Sequence, residues 1–254
     1  DDYGLIFFHD KTGKYNGTMT AAQLKAETGA KVYSKLAGNA EIAAEGVVTT
    51  YIDADKKIGV ILEVNSETDF VAKNENFMSF VNGVAKVIAD ANPADVEALK
   101  ECKFDDTHTV AEMLIEKIQT IGENMNIRRF VRLEGACVSY VHGGGSHAAM
   151  LLCDVADAAN EKFQEAARNV CMQIVAMHPA YLCREEVPAE VIEAEKNILL
   201  AQIKNDPKLA NKPEQIIEKI LIGKVQKFYK ENCLVEQAFV KDDKISVGQY
   251  TANT

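Results

Sequence analysis

The sequence lacks most of what protein chemistry needs. None of its six cysteines (Cys102, Cys137, Cys153, Cys171, Cys183 and Cys233) forms a C-x-x-C pair, so a zinc ribbon or dithiol redox centre is unsupported. There is no G-x-S-x-G elbow for an esterase serine and no G-x-x-x-x-G-K-[ST] loop to cradle a nucleotide's phosphates. No apolar run reaches the roughly 18 residues that span a bilayer, and Asp1-Asp2-Tyr3-Gly4 has no basic region of the kind that opens a signal peptide. Positive charge is scarce too. Lys and Arg number 28 against 38 Asp and Glu, a net charge of -10. Gripping a phosphate backbone takes clustered cations. Nucleic acid is therefore not expected as a direct partner, nor is a membrane, while an acidic surface suits a protein with a basic face.

What remains is ordinary globular composition, 47% hydrophobic and 26% charged over 254 residues, enough for one large domain or two modest ones. Several cysteines sit in apolar runs, where Cys acts as a small buried hydrophobe, and a reducing, cytoplasmic setting is expected. The absence of an initiator Met and the run-on end at Gln249-Tyr250-Thr251 read as the edges of a fragment.

Residues 1–45 read as an atypical N-terminal segment, with a short strand at Leu5-Ile6-Phe7-Phe8 and a helix opening at Thr20 to Leu24 and closing at Gly29. Beyond Gly46 the pattern sharpens. Val47 to Ile52 is a β-branched strand, Asp53 to Lys57 a polar turn and Ile58 to Val64 a second strand. Phe77, Phe80, Val81, Val84, Val87 and Ile88 then share one helical face. The plan recurs with a strand at Cys137 to His142, a turn at His142-Gly143-Gly144-Gly145, a strand at Ala149 to Cys153 and a helical stripe of Phe163, Ala167, Val170, Ile174 and Met177. Val48 corresponds to Val138 and Ile61 to Leu151 at a common offset of 90 residues. Two copies at that spacing are a duplicated β-β-α unit, not a solenoid. Between them, Thr109 and Glu112 have capping-box spacing at the head of a helix that Gly122 ends. Pro188 and Pro213 each suit a first helical position. The two stripes that follow, broken at Asn205-Asp206-Pro207, make an antiparallel helical hairpin, which is expected to protrude. The tail from Cys233 to Gln249 reads as extended, returning to the body.

The fold class is thus α+β: two related β-β-α subdomains with antiparallel sheets and a protruding coiled-coil hairpin. The boundaries are 46–135 for the first subdomain, 136–187 with 231–254 for the second, and 188–230 for the hairpin.

No nucleophile–base arrangement stands out, so the chain is not read as an enzyme. His142-Gly143-Gly144-Gly145 looks like an esterase oxyanion segment, but without the elbow it reads as a glycine-rich hairpin turn. His142 and His147 without a carboxylate make no metal site, and neither a metal nor a cofactor is expected. The segment Asn65 to Asn74 is different. It joins a strand to a long helix, and Ser66 with Asp69 has capping-box spacing, which predicts a single helical turn over Asp69–Ala72. Phe70 precedes the core face that starts at Phe77. It is either an anchor for a partner's pocket or a plug in its own core.

Thr68-Asp69-Phe70-Val71-Ala72-Lys73-Asn74 resembles the TDFVAKN signature of the elongation factor Ts family, the nucleotide-exchange factors of elongation factor Tu. Ile121-Gly122-Glu123-Asn124-Met125-Asn126-Ile127-Arg128-Arg129 resembles the family's IGENxxIRR signature. Glu45-Gly46-Val47-Val48, Tyr140 to Gly145, Arg184 to Pro188 and Lys227-Phe228-Tyr229 extend the resemblance over residues 43–250. It implies a translation elongation factor that binds this GTPase and promotes GDP release. In the family the pair matching Asp69 and Phe70 enters the partner's G domain beside its nucleotide and magnesium site. Thr68 and Val71 flank that pair, the segment with Met125, Asn126, Ile127 and Arg128 lies alongside, and the region of His142 contacts a distal domain, so the resemblance implies that all of these residues bind the partner. Three departures stand out. Only Glu27-Thr28-Gly29-Ala30 remains of the family's N-terminal TGAGMMDCKKAL module. Ser146-His147-Ala148 replaces a basic and branched stretch after the glycines. The chain also stops short of the family's final strand. The alternative implied by these departures is a family-derived binding or scaffold module without efficient exchange.

Overall fold

The computed structural model describes residues 6–9, 30–31, 45–155, 157–206, 209 and 212–253. Strands β1 (Ile6–His9) and β2 (Ala30–Lys31) precede the long hairpin of β3 (Glu45–Asp53) and β4 (Ile58–Ser66). Then come α1 (Glu75–Ala91), α2 (Val96–Glu101), α3 (Val110–Ile121), β5 (Met125–Glu134), β6 (Ala136–His142), β7 (His147–Cys153) and α4 (Glu161–Met177). The chain ends with α5 (Ala189–Asn205), α6 (Glu214–Asn232), β8 (Ala238–Phe239), β9 (Asp242–Ser246) and α7 (Val247–Ala252).

Two antiparallel sheets pack face to face, each covered by a helix. The first runs β3-β4-β5; in the second β6 pairs with β7, whose other edge takes β1 and β2. Strand β4 is buried along its whole length, and its period of two divides its side chains between two cores. Val60, Leu62 and Val64 join Phe77, Phe80, Val84 and Ile88 of α1. Ile61 faces the other way, into a core with Val48, Leu133, Ala148, Met150 and Leu152 between the sheets. A third core lies under α4, where Val170 and Ile174 meet Val138 and Leu151. Thr50 Oγ1 and Ser139 Oγ bridge the sheets at 2.9 Å, and the Val48 N–H donates to Gly145 O at 2.7 Å.

The two covering helices are built alike. Each opens with an asparagine whose side chain accepts from the second and third residues beyond it, Asn74 from Asn76 and Phe77, Asn160 from Lys162 and Phe163. Each closes on a left-handed residue, Asn92 and His178. The capping box of α3 is present, with Glu112 N–H donating to Thr109 Oγ1 and Thr109 N–H to Glu112 Oε2, and Gly122 ends the helix at φ 81°.

Helices α5 and α6 pack on one another and bury only Leu199, Ile203 and Val225. Pro188 and Pro213 stand one residue before the helices, as caps. At their base Arg184 grips Glu236 with two bonds of 2.6 Å and lies over the Tyr229 ring. The expected extended tail is instead the β8–β9 hairpin followed by α7. The Ser246 hydroxyl accepts from the Gln249 N–H and starts α7 before the expected extended tail would end. Buried Gln173 of α4 holds this segment, donating to Gln237 and Ala238 and accepting from the Val240 N–H. The expected strand at residues 5–8 coincides in part with β1; the helix expected from Thr20 to Gly29 lies outside the described residues.

Gly59 allows the sheets to approach. A Cβ there would stand 2.6 Å from Cys137 Sγ and 2.8 Å from Met150 Sδ. Gly59→Ala should lower unfolding free energy by about 1–3 kcal/mol, the range for overpacking a filled core, measured by urea denaturation. Burial pushes the Cys137 and Cys153 thiols up to about 12, keeping them protonated and unreactive. At about pH 8, iodoacetamide should modify half-buried Cys102 in the native protein and reach Cys137 and Cys153 only after unfolding, as read by peptide mass spectrometry.

Candidate functional site

The connection from β4 to α1 carries the most exposed large apolar side chain among the described residues. Phe70 is 76% exposed, so it does not plug its own core. The reason lies in its neighbours. Val71, the next residue, is 4% exposed and takes the core position, and a tight turn cannot bury both. Asp69 is exposed as well. The expected helical turn over 69–72 is a 3-10 turn at Val71–Lys73. Ser66 does not cap it, because its hydroxyl donates to Thr68 O at 3.0 Å.

The turn is pinned on both sides. Before it, the Thr68 N–H donates to Glu123 Oε2 at 3.1 Å and the Thr68 hydroxyl to Glu123 Oε1 at 2.6 Å. After it, Lys73 N–H donates to Phe70 O at 3.1 Å and Asn74 N–H to Val71 O at 2.9 Å. Glu123 lies just past the end of α3, 55 residues along the chain from Thr68. It lies within the signature segment Ile121–Arg129, but nothing in the sequence pairs it with Thr68.

Strand β5 flanks the turn, with Met125 opposite Ser66 and Asn126 opposite Asn65. The side chains of Met125 and Ile127 point into the α1 core, so at this surface they fix the backbone, while Asn126 is exposed. A bulge then sets Arg128 and Arg129 against the single residue Glu63. Glu63 is 1% exposed. It accepts from Arg128 Nη1 at 2.7 Å and Arg129 Nε at 2.5 Å, with side chains only 12% and 16% exposed. Arg128 therefore acts first as the counter-charge of a buried carboxylate. Glu63 was also missed by sequence reasoning; a lone Glu in an apolar strand signals that a cation must meet it, without saying which one.

His142 is at the tip of the β6–β7 hairpin, exposed, with Nδ1 at 2.8 Å from the Tyr140 hydroxyl. Gly143, Gly144 and Gly145 all take positive φ, and buried Gly145 sits against Val47. Val47 pairs with Val64 near the end of β3–β4 that leads into the turn. The hairpin tip and the Asp69–Phe70 turn thus share one end of the sandwich. Among the described residues no three His, Cys, Asp or Glu side chains group as a metal site, and no helix is long and apolar enough to cross a membrane.

Removing the buried carboxylate should be costly, because two guanidinium groups would lose their counter-charge. Glu63→Ala should destabilise the protein by about 3 kcal/mol or more, measured by urea denaturation.

The sequence model of the family described as Elongation factor TS matches residues 67–254, a span that includes the turn, β5 and the β6–β7 tip. An elongation factor Ts of Clostridium botulinum (strain Eklund 17B / Type B) is 44% identical over 227 residues, covering 87% of this chain and 72% of that protein. Another, from Clostridium kluyveri (strain NBRC 12016), is 43% identical over 235 residues, 91% of this chain and 74% of the relative. That of Halothermothrix orenii is 43% identical over 252 residues, covering 97% and 81% respectively. With the family model matching residues 67–254 of the 254 and relatives this similar over most of the chain, the chain belongs to the elongation factor Ts family.

Proposed function

We propose that this chain acts in translation in the cytoplasm by binding elongation factor Tu and driving off its GDP, and that the Asp69–Phe70 turn is the element that enters the GTPase near its nucleotide and magnesium site. The observation that carries the reading is the exposure of Phe70 on a connection fixed at both ends. Burying such a ring removes on the order of 150 Å² of surface from water. At about 25 cal/mol per Å² that is roughly 4 kcal/mol before any ordering cost, and a pinned turn has little left to order. Exposed Asp69 brings negative charge to a region where the partner holds phosphates and a metal. Asn126 and His142, both exposed, are read as further contact residues.

The reaction needs no proton transfer. A factor that prefers the nucleotide-free GTPase must weaken nucleotide binding by the same ratio, and ~4 kcal/mol of preference is about a thousandfold. The arrangement supports a division into two related β-β-α subdomains, 46–135 and 136–187 with 231–254. A coiled-coil hairpin at 188–230 would offer a further contact surface. Residues 1–45 stand where the family's N-terminal module is expected.

Release of fluorescent GDP from purified elongation factor Tu tests the reading. The chain should accelerate release. Phe70→Ala should lose ~2 kcal/mol or more of binding, as interface hot spots do, with an unchanged melting temperature because the ring is outside the core. If the wild-type chain binds without accelerating release, it is a scaffold module instead.

A further inference from the structure

The contact between Thr68 and Glu123 is more than the fold around it requires. Helix α1 has its own cap in Asn74, and Val71 already ties the end of the turn to the core. Strand β4 is fixed as far as Ser66 by pairing on both sides. Between these anchors lie residues 67–70. Thr68 is the one whose polar groups are all engaged: its N–H and hydroxyl donate to the two carboxylate oxygens of Glu123, and its carbonyl accepts from Ser66. Hydrogen bonds to an ionised acceptor are the stronger kind. They hold the residue just before Asp69 and Phe70.

The other end of the link is equally defined. Gly122 closes α3 through its own N–H to Ile118 O, so α3 is finished without the Glu123 side chain. Three residues further on, β5 is already paired, with Met125 opposite Ser66. Glu123 thus stands on a short connection between two rigid elements and reaches across to a second such connection.

The geometry points to Glu123 as a positioning residue for nucleotide exchange: it pre-orders the Asp69–Phe70 turn, so that Phe70 is presented to the GTPase without an ordering cost at binding. This rests on the reading of Asp69–Phe70 as the inserting turn, and it assigns to Glu123 a role exercised through that turn.

Two measurements test it. The first needs no partner. In the full chain, Glu123→Ala should speed amide hydrogen exchange of Thr68 and Lys73 by about tenfold, since exchange reports local opening, while the amides of β4 keep their wild-type rates. Unchanged exchange at Thr68 and Lys73 would overturn the clamp. The second is a double-mutant cycle on affinity for nucleotide-free elongation factor Tu. Glu123→Ala should weaken binding about tenfold in the wild-type background and less than about twofold when Phe70→Ala is already present, because a displaced turn without its ring has little left to lose. Equal losses in both backgrounds would show that Glu123 acts on the partner independently of the turn.

Thr68→Ser keeps both donors and should behave as wild type in both measurements. Thr68→Val keeps the shape and the N–H but loses the hydroxyl, and should fall between wild type and Glu123→Ala. It also serves if Glu123→Ala does not fold. If the wild-type chain fails to bind nucleotide-free elongation factor Tu, the exchange-factor reading falls, while the hydrogen-exchange arm still decides whether Glu123 orders the turn.

Discussion

Strand β4 is covered on both faces, by α1 on one side and by the second sheet on the other, and nearly everything else in the molecule is arranged around that double burial. A strand in this position reads as an apolar run, and any charge on it must be met by cations brought to it. Glu63 is that charge. The bulge in β5 brings two consecutive arginines to its carboxylate, which fixes the register of β5 on β4. That register sets Met125 and Asn126 beside the end of β4. The candidate surface therefore inherits its geometry from a buried ion cluster a few residues away.

The same economy appears in the close approach of the sheets. Gly59 removes a side chain where Cys137 and Met150 come nearest, and Gly145 lets the β6–β7 tip rest on Val47 and accept from Val48. The tip carrying His142 is thereby fixed to the first sheet and held at the end where the Asp69–Phe70 turn projects. Rigid presentation matters for the function proposed above, which draws on binding energy alone. An apolar ring displayed on a mobile loop would lose part of its burial energy to ordering, whereas here Val71 and Glu123 hold the backbone on either side of it.

The proposed role requires no nucleophile, phosphate loop or basic stripe. Differential affinity for two states of a GTPase requires shape, one or two well-placed side chains and stiffness, none of which leaves a catalytic motif. In this chain parts of both signature segments coincide with structural necessities. Val71, Met125 and Ile127 are core residues, and Arg128 and Arg129 neutralise Glu63.

By itself the sequence determined the strands at 47–52 and 58–64, the helices with phenylalanines at 77 and 163, the capping box at Thr109 and the stop at Gly122, because each depends on local periodicity or on a cap within a few residues. It also marked out the Thr68–Asn74 segment. It did not determine whether Phe70 was core or surface, since a tight connection offers either; only packing decided, by giving the core position to Val71. The helix at 247–252 was hidden because its apolar pattern is too short to register and its stability comes from docking, with Tyr250 stacked on Phe239. The partnerships of Glu63 with Arg128 and Arg129, and of Thr68 with Glu123, join residues more than fifty positions apart. Which groups meet over such a distance depends on sheet register and on where a bulge falls, and tertiary structure alone supplies both.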